Sequence, residues 1–526
     1  GAAGLVRTGA IWGLLGLAMP PLACPEDLSL PSAIPIPPTV EEIELSYSGE
    51  QTTPAVTLSG APAVMPPLSY RPFAPILELR TTFGEARPFG SCQVQHGRMQ
   101  DGIELQRVAG AGTRCGQRIP LDPAEIAVDL LSYETVRIRG RATGRVVVAL
   151  EDVAASRRED NVPIATVTGP FDLTVSLKEI GRKLDLRSLT AFVVSTDEPH
   201  ARIELDHMEA ALRPSEPVRP HATGFWVWKY REAIDDPDAL IGTCRAQHCS
   251  RVLIQMPSQA EGEALWRDYA RLLMTVREAG VEVFALDGYT EAIQEPGKLA
   301  DKIQRLLTLT SPGVLSGVQL DIEPYLVPGF LQDEAQLGLY VRAIETLKEA
   351  IGGRTRLSMV IPFWLVSPTI DGRPLAYAVM DRSDEVAVMT YRTDVDEVQE
   401  IAEDILRYGD LVGTPVWLAV ETTALPVEQH MVLRRELDPA RADAVLDYER
   451  RLLQWLPLPG EAVSLARREW FRLHHRFTVR PERLTFYGHS RTEVAATVRQ
   501  ILDTTRHQSF MGVIIHDLDG FRALSE

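Results

Sequence analysis

Eight short apolar segments alternate with amphipathic stretches in the C-terminal part of the chain, and this alternation restricts the fold more than any other feature. Between the apolar segments, residues such as Leu337, Tyr340 and Ile344 recur with helical spacing. Eight β-then-α units over about 300 residues predict a (β/α)8 barrel, which we assign to residues 221–526. The expected strands are Phe225–Lys229, Val252–Met256, Val281–Leu286, Val318–Glu323, Leu357–Phe363, Val386–Tyr391, Val416–Glu421 and Met511–Asp517.

One connection of this barrel is too long to be a simple loop. Residues 422–490 follow the seventh strand and include an expected helix around Ala440–Leu456. The segment leaves from the carboxyl end of a strand, where barrel active sites lie. We therefore expect a lid or a substrate-binding subdomain, with a purely structural insertion as the alternative.

The chain before the barrel has a different pattern. Residues 76–212 contain short β segments separated by Gly, Pro and Asp, which predicts an all-β, jelly-roll-like sandwich. The Pro-rich residues 25–75 are expected to form an extended tether, and residues 213–220 a linker that few contacts cross. Leu184-Asp-Leu-Arg-Ser-Leu189 and Arg202-Ile-Glu-Leu-Asp-His-Met-Glu209 resemble the closing strands of galactose-binding-like jelly rolls in carbohydrate-binding modules. The resemblance implies sugar binding; a sandwich that only packs against its neighbour is the alternative.

The N-terminus and the cysteines predict export. Residues 5–24 combine one arginine, an apolar run and small residues before Cys24, as in a signal peptide. Pro21-Leu-Ala-Cys24 resembles the bacterial lipobox, which implies lipidation of Cys24. The other four cysteines are expected to form disulfides, Cys92 with Cys115 and Cys244 with Cys249. We expect a periplasmic protein, either lipid-anchored through Cys24 or freely secreted.

Two carboxylates stand at the end of the fourth expected strand. Side chains alternate along a strand, so Gln319, Asp321 and Glu323 face the barrel interior together. Close like charges raise one pKa, which keeps a glutamate protonated as a general acid near neutral pH. The alternative is a structural pair, in an ion-pair network or on a metal.

The same residues resemble a known family. Leu320-Asp-Ile-Glu323 resembles the Asp-x-Glu core of family 18 glycoside hydrolases, the chitinase-like barrels, and Met389-Thr-Tyr-Arg392 resembles their Met-x-Tyr-Asp. The resemblance implies that Glu323 is the acid, that Asp321 orients the substrate's acetamido group and that Tyr391 supports the charged intermediate. The family has Asp where this chain has Ser316, Gln319 and Arg392.

A second resemblance gives Glu323 the same role and changes its partner. Clan A glycosidases, which are also (β/α)8 barrels, carry an acid/base Glu after strand four and a nucleophilic Glu after strand seven, where this chain has Glu421. Retaining hydrolysis needs carboxyls about 5 to 5.5 Å apart, and inverting hydrolysis about 6.5 to 9.5 Å. The attacking group is therefore Glu421, a water activated by it, or the substrate's own acetamide.

Other side chains near strand ends are candidates for substrate binding. Trp228, Trp364 and Tyr325 could stack on sugar rings. Gln319, Asp287, His516 and Asp517 could bond hydroxyls, and Arg392 could meet an acidic sugar. No nucleotide, phosphate-loop, zinc or Gly-x-Ser-x-Gly motif occurs, so no cofactor is implied.

These features together predict an exported glycoside hydrolase acting on a polysaccharide or oligosaccharide of the cell envelope or matrix. Its net charge of 54 − 72 = −18 argues against nucleic acid as a partner. The first mechanism pairs Glu323 as acid with Glu421 as nucleophile or base, and the second is the substrate-assisted route. Two further alternatives are a non-catalytic glycan-binding barrel of an exopolysaccharide system and a metal-dependent hydrolase using Asp321, Glu323 and His516.

Overall fold

The computed structural model describes residues 26–60, 69–79, 83–90, 92–93, 102–107, 115–122, 124, 126–158, 160–214, 220–327, 329–457 and 467–526. The described part of the chain begins with three strands, β1 (Leu28–Ser29), β2 (Glu42–Ser48) and β3 (Ala55–Ser59). A mainly antiparallel sheet domain follows, in which the long strand Tyr133–Asp152 pairs with Val162–Ser176, Leu189–Thr196 and His200–Leu212. Its elements are β4 (Ser69–Tyr70), β5 (Ile76–Glu78), β6 (Arg87–Gly90), β7 (Cys92–Gln93), β8 (Gly102–Arg107), β9 (Cys115–Pro120), β10 (Ala127–Val128), β11 (Tyr133–Asp152), α1 (Val153–Arg158), β12 (Val162–Ser176), α2 (Leu177–Gly181), β13 (Leu189–Thr196) and β14 (His200–Leu212).

The barrel closes as expected, with eight parallel strands in chain order and the first strand paired with the last. The strands are β15 (Ala222–Val227), β16 (Cys249–Gln255), β17 (Glu282–Asp287), β18 (Gly317–Leu320), β19 (Arg356–Pro362), β22 (Glu385–Met389), β23 (Val416–Glu421) and β28 (Phe510–His516). A small hairpin, β20 (Thr369–Ile370) and β21 (Arg373–Pro374), lies between β19 and β22 in the chain. The helices are α3 (Tyr230–Asp235), α4 (Pro237–Ala246), α5 (Glu263–Glu278), α6 (Pro296–Leu309), α7 (Glu334–Ile351), α8 (Leu375–Arg382), α9 (Val395–Val412), α10 (Arg491–Thr504) and α11 (Leu518–Ala523). The fold class of a TIM barrel preceded by a β-sandwich domain is confirmed. No helix in the described ranges is long and apolar enough to cross a bilayer.

The expected tether is wrong, because the N-terminal strands belong to a folded sheet. The insertion after β23 contributes β24 (Glu428–Glu436), β25 (Ala444–Asp447), β26 (Leu452–Trp455) and β27 (Arg468–Val479), and the sheet order is β1-β26-β25-β27-β24-β2-β3. We call this seven-stranded unit the composite sheet. Its core includes Ile43 and Leu45 of β2 packed with Leu433 and Phe471 of the insertion. The expected helix at Ala440–Leu456 is also wrong, because that stretch forms β25 and β26.

Buried ion pairs connect the parts of the chain on either side of residues 213–220. The expectation that few contacts cross this linker is therefore wrong. Arg407 of α9 donates to both carboxylate oxygens of Asp129, at 2.9 and 2.8 Å, and both side chains are buried. Arg187, which follows α2, donates to Asp404 of α9 at 2.8 Å. Breaking a buried ion pair by removing one partner leaves an uncompensated charge and costs about 3–5 kcal/mol.

The disulfide between Cys244 and Cys249 is confirmed. Cys115 is also disulfide-bonded, and the side chain of its expected partner, Cys92, lies outside the described residues. Cys24 lies outside them too.

Two histidines, the buried His430 and the half-buried His507, make the stability of the fold dependent on pH. His507 contacts Asp410 at 2.6 Å and Glu403 at 2.8 Å, and His430 contacts Glu44 of β2 at 3.1 Å and Glu428 of β24 at 3.0 Å. Burial lowers each pKa, but the carboxylate hydrogen bonds outweigh it and raise the pKa of both histidines from 6.5 to about 9.

We expect the free energy of unfolding to decrease as pH rises from about 6.5 through 9. A histidine whose pKa is higher in the folded than in the unfolded protein stabilises the fold. This contribution is complete below the unfolded pKa and is lost as pH rises through the folded pKa, and here it is roughly 3 kcal/mol per histidine. Thermal unfolding between pH 6 and 10 measures this, and His507→Gln should flatten the dependence. A melting temperature that is constant or increases over this range would contradict it.

Candidate active site

The carboxylate pair lies directly beyond a short fourth strand. β18 ends at Leu320, so Asp321 and Glu323 follow it rather than lie within it, and Pro324 begins one turn of 3-10 helix. The Asp321 amide donates to the Asp287 carbonyl of β17 at 2.8 Å. A Cβ on Gly288 would lie 2.0 Å from the Asp321 carbonyl oxygen. A glycine is therefore needed for this close approach.

A buried polar layer lies one step below this pair. Gln319 is 0% exposed; its Oε1 accepts from the Trp226 indole at 2.5 Å and its Nε2 donates to Ser358 Oγ at 3.0 Å. Both polar ends of Gln319 are used inside the barrel, so the structure places it in the core and not at the substrate surface.

Burial raises the pKa of both half-buried carboxyls, and the charge of Asp321 raises that of Glu323 further. The pKa of Asp321 is raised to about 6 by burial, which the nearby His516 opposes. The pKa of Glu323 is raised to about 7 by burial and then by the Asp321 charge, while a hydrogen bond from Tyr325 lowers it. Oδ1 of Asp321 is buried and has no hydrogen-bond partner among the described residues. The pair can hold a proton near neutral pH.

Tyr325 and Trp364 support Glu323 instead of offering open faces to a sugar. The Tyr325 phenol donates to Glu323 Oε1 at 3.1 Å, and Tyr325 is only 2% exposed. Trp364 is buried and packs edge-to-face on Tyr325, with ring centroids 4.9 Å apart. The expected stacking role is corrected for both rings, because their surroundings cover them.

We expect Tyr325→Phe to raise the pKa of Glu323. The phenol stabilises the ionised form of Glu323, so its removal raises the pKa of that carboxyl above about 7. NMR titration of the Glu323 carboxyl in both proteins measures this, and a lower pKa in Tyr325→Phe would contradict the prediction.

A second polar chain crosses the mouth of the barrel from β23 to β15. His516 Nδ1 contacts Glu421 Oε1 at 2.8 Å, and His516 Nε2 accepts from the Trp228 indole at 3.0 Å. Glu421 is 0% exposed, and Oε1 also accepts from the amides of Thr422 and Thr423 and from the Thr423 hydroxyl, at 3.0, 2.9 and 2.7 Å. His516, expected to bond substrate hydroxyls, is instead bonded within the protein through both nitrogens.

Tyr391 joins the two groups of residues. It is buried, with its ring centroid 6.1 Å from that of His516. Burial raises its pKa, and the charges of Glu421, Asp321 and Glu323 raise it further. These three carboxylates are therefore close enough to the Tyr391 phenol to influence it electrostatically.

Three other expected substrate contacts are used for structure. Asp287 forms a buried ion pair with Lys302 of α6. Arg392 is buried, donates to the Tyr391 carbonyl at 2.7 Å and lies over the Phe363 ring. Asp517 caps α11 by accepting from the Gly520 amide at 2.7 Å. Burial of Asp287 and Arg392 argues against the binding roles expected for them, whereas Asp517 is half-buried and its expected role stays a prediction.

Sequence reasoning missed the residues that hold these groups in place. Trp226 and Ser358 fix Gln319, and Gly288 admits the Asp321 backbone. Thr422 and Thr423 supply donors to Glu421. Two threonines directly after a strand-ending glutamate are a local signal that could have been noticed; the contacts of Trp226 and Ser358 with Gln319 span 93 and 39 residues and leave no local signal.

No protein-family model matches the chain, and no curated protein matches it. Among solved structures, it is similar to the spore cortex-lytic enzyme SleL of Bacillus megaterium QM B1551, at 9% identity over 59% of this chain and 73% of that one, with a TM-score of 0.31. It is similar to a class V chitinase of Nicotiana tobaccum at 11% identity, over 57% and 94% of the two chains, with a TM-score of 0.32. A mutant family 29 carbohydrate-binding module complexed with mannohexaose matches at 9% identity, over 26% and 88%, with a TM-score of 0.18.

Proposed function

We propose that the protein is a glycoside hydrolase in which Glu323 is the general acid. The observation that carries this is the half-buried pair of Asp321 and Glu323 at the carboxyl end of β18, where the pKa of Glu323 is raised to about 7. Cleavage of a glycosidic bond needs a carboxylic acid that is still protonated near neutral pH, to protonate the leaving oxygen. Asp321, whose pKa is raised less, is the group that ionises first.

The surroundings of Glu421 favour the substrate-assisted mechanism over the one in which Glu421 attacks the sugar. A nucleophile must reach the anomeric carbon, and Glu421 is fully buried with four donors on one oxygen. An acetamido group on the substrate supplies the nucleophile instead. In this route Asp321 orients that group and the Tyr391 hydroxyl supports the charge that develops on it.

The proposed substrate is therefore an oligosaccharide or polysaccharide with an N-acetylated sugar next to the cleaved bond, in the cell envelope or matrix. Export to the periplasm and lipidation at Cys24 are part of the same proposal. The disulfide between Cys244 and Cys249 supports export, because disulfides persist mainly in oxidising compartments.

We expect the protein to release reducing ends from N-acetylated glucosamine oligosaccharides and not from the same oligosaccharides after de-N-acetylation. The acetamide oxygen is the nucleophile in this mechanism, so its removal should abolish cleavage. Chromatography of both digests with reducing-end detection measures this. Equal cleavage of the two substrates would instead indicate that Glu421 or a water is the attacking group. Binding without cleavage across a broad polysaccharide panel would instead indicate a non-catalytic glycan-binding barrel.

A further inference from the structure

Two tryptophans of the first barrel segment have different environments. Trp226 and Trp228 both pack edge-to-face on the His516 ring, with centroids 5.7 and 6.2 Å away, so they face the same side. Trp226 is 2% exposed and bonded to Gln319, within the buried layer. Trp228 follows the carboxyl end of β15, is half-buried, and bonds His516. Trp228 is therefore the less buried of the two tryptophans, at the end of the barrel that carries Glu323.

The hydrogen bonds to His516 define the tautomer of its neutral ring. An indole N–H can only donate, so Nε2 must be the acceptor and the ring proton lies on Nδ1. Nδ1–H then donates to Glu421 Oε1 at 2.8 Å. With both nitrogens occupied, His516 is not placed to transfer a proton to or from a substrate.

Glu421 is built as an anchor for this histidine. Three donors from Thr422 and Thr423 fix Oε1, and the fourth donor is the imidazole. These bonds determine the orientation of the carboxylate, which determines that of His516 and then that of Trp228. The His516 ring also lies 6.1 Å, centroid to centroid, from the ring of Tyr391, so the chain of contacts ends beside a residue of the proposed site.

We propose that Glu421 and His516 are positioning residues that hold the Trp228 indole as the platform on which a sugar ring lies at the Glu323 site. The inference rests on the proposed function, and it assigns Glu421 a role other than nucleophile. Aromatic faces bind the apolar face of a pyranose, and a fixed ring binds without the cost of being ordered.

A double-mutant cycle on KM separates this role from general destabilisation. Trp228→Phe and His516→Leu should each raise KM for an N-acetylglucosamine oligosaccharide about tenfold, corresponding to about 1.4 kcal/mol, and change kcat less than about threefold. The double variant should have the KM of Trp228→Phe alone, because His516 acts through that ring. His516→Gln, which keeps an acceptor and a donor, should restore part of the affinity. Trp470→Phe, which removes another half-buried indole from β27, is the matched control.

Three outcomes would overturn the inference. The first is additive increases in KM in the double variant. The second is a loss of kcat in Glu421→Gln as large as that in Glu323→Gln. The third is restoration of Glu421→Ala activity by azide, which would identify a missing nucleophile.

Fluorescence tests the positioning step without turnover. The emission of Trp228 is taken as the difference between each protein and the same protein carrying Trp228→Phe. This emission should change in His516→Leu and be recovered in His516→Gln. No change in His516→Leu would overturn the step. If wild type cleaves no substrate while this emission behaves as expected, the proposed function has failed and the positioning of Trp228 has not.

Discussion

Replacing Glu323 with Gln should lower kcat on a cleavable oligosaccharide by about 10²- to 10⁴-fold, the usual contribution of general acid catalysis. The amide has nearly the shape of the carboxylic acid, and it can still accept from the Tyr325 phenol, which donates to Oε1 at 3.1 Å. It cannot deliver a proton to the leaving oxygen. Folding and oligosaccharide affinity should therefore be retained while turnover is lost.

The control for this experiment is a carboxylate at the same end of the barrel. Glu291 lies in the short helix after β17 and is exposed. Glu291→Gln should keep kcat within about twofold of wild type, because most exposed substitutions change little. Thermal unfolding and oligosaccharide titration would verify that the Glu323 variant is folded and binds. Full activity of Glu323→Gln would refute both the substrate-assisted and the two-glutamate mechanism, since both use the same acid.

The barrel could be predicted from sequence because its signal is local. Each strand is an apolar run followed by a helix, and the closing pair β15 and β28 follows from the count of eight. The fourth strand is shorter than its apolar pattern suggested, ending at Leu320. Beyond Leu320 the chain still stays close to β17, because the Asp321 amide bonds the Asp287 carbonyl and Gly288 leaves room for the Asp321 backbone.

Strand alternation predicts which way a side chain points, and it placed the carboxylate pair. It does not predict whether a polar side chain is already hydrogen-bonded to another protein group, and there the sequence prediction failed. Alternation placed Asp321 and Glu323 together, and both lie at the mouth of the barrel. Alternation did not indicate that the polar atoms of Gln319, Asp287 and Arg392 form hydrogen bonds or ion pairs with other protein groups. Those partners, such as Trp226 for Gln319 and Lys302 for Asp287, are on other elements of the barrel. A polar residue on the correct face is thus only a candidate until its hydrogen bonds are known.

The N-terminal strands show the same limit at longer range. β2 alternates buried Ile43 and Leu45 with polar residues, which is a strand pattern, while the surrounding prolines indicated a tether. The partner of β2 is β24, and Ser46 and His430, which hydrogen-bond at 2.8 Å, are 384 residues apart. No local pattern predicts that pairing, so only the structure shows that the insertion is completed by the start of the chain.

A fragment that begins at residue 221 should consequently be insoluble, although it contains every strand of the barrel. It lacks β2 and β3, which leaves the apolar face of the insertion, including Leu433 and Phe471, exposed to water. Each large apolar side chain lost from a core costs about 1.5–3 kcal/mol. It also lacks Asp129 and the helix α2, which pack against α9, so the Arg407–Asp129 ion pair is lost and this side of α9 is exposed to water. These costs together reach the whole stability of a typical domain, which is about 5–15 kcal/mol. Residues 26–526 should be soluble and monodisperse by gel filtration, and co-expression of residues 26–214 should rescue the fragment. A fragment that folds alone, with a cooperative melting transition near that of the longer chain, would show that neither the composite sheet nor the Arg407 contacts hold the barrel together.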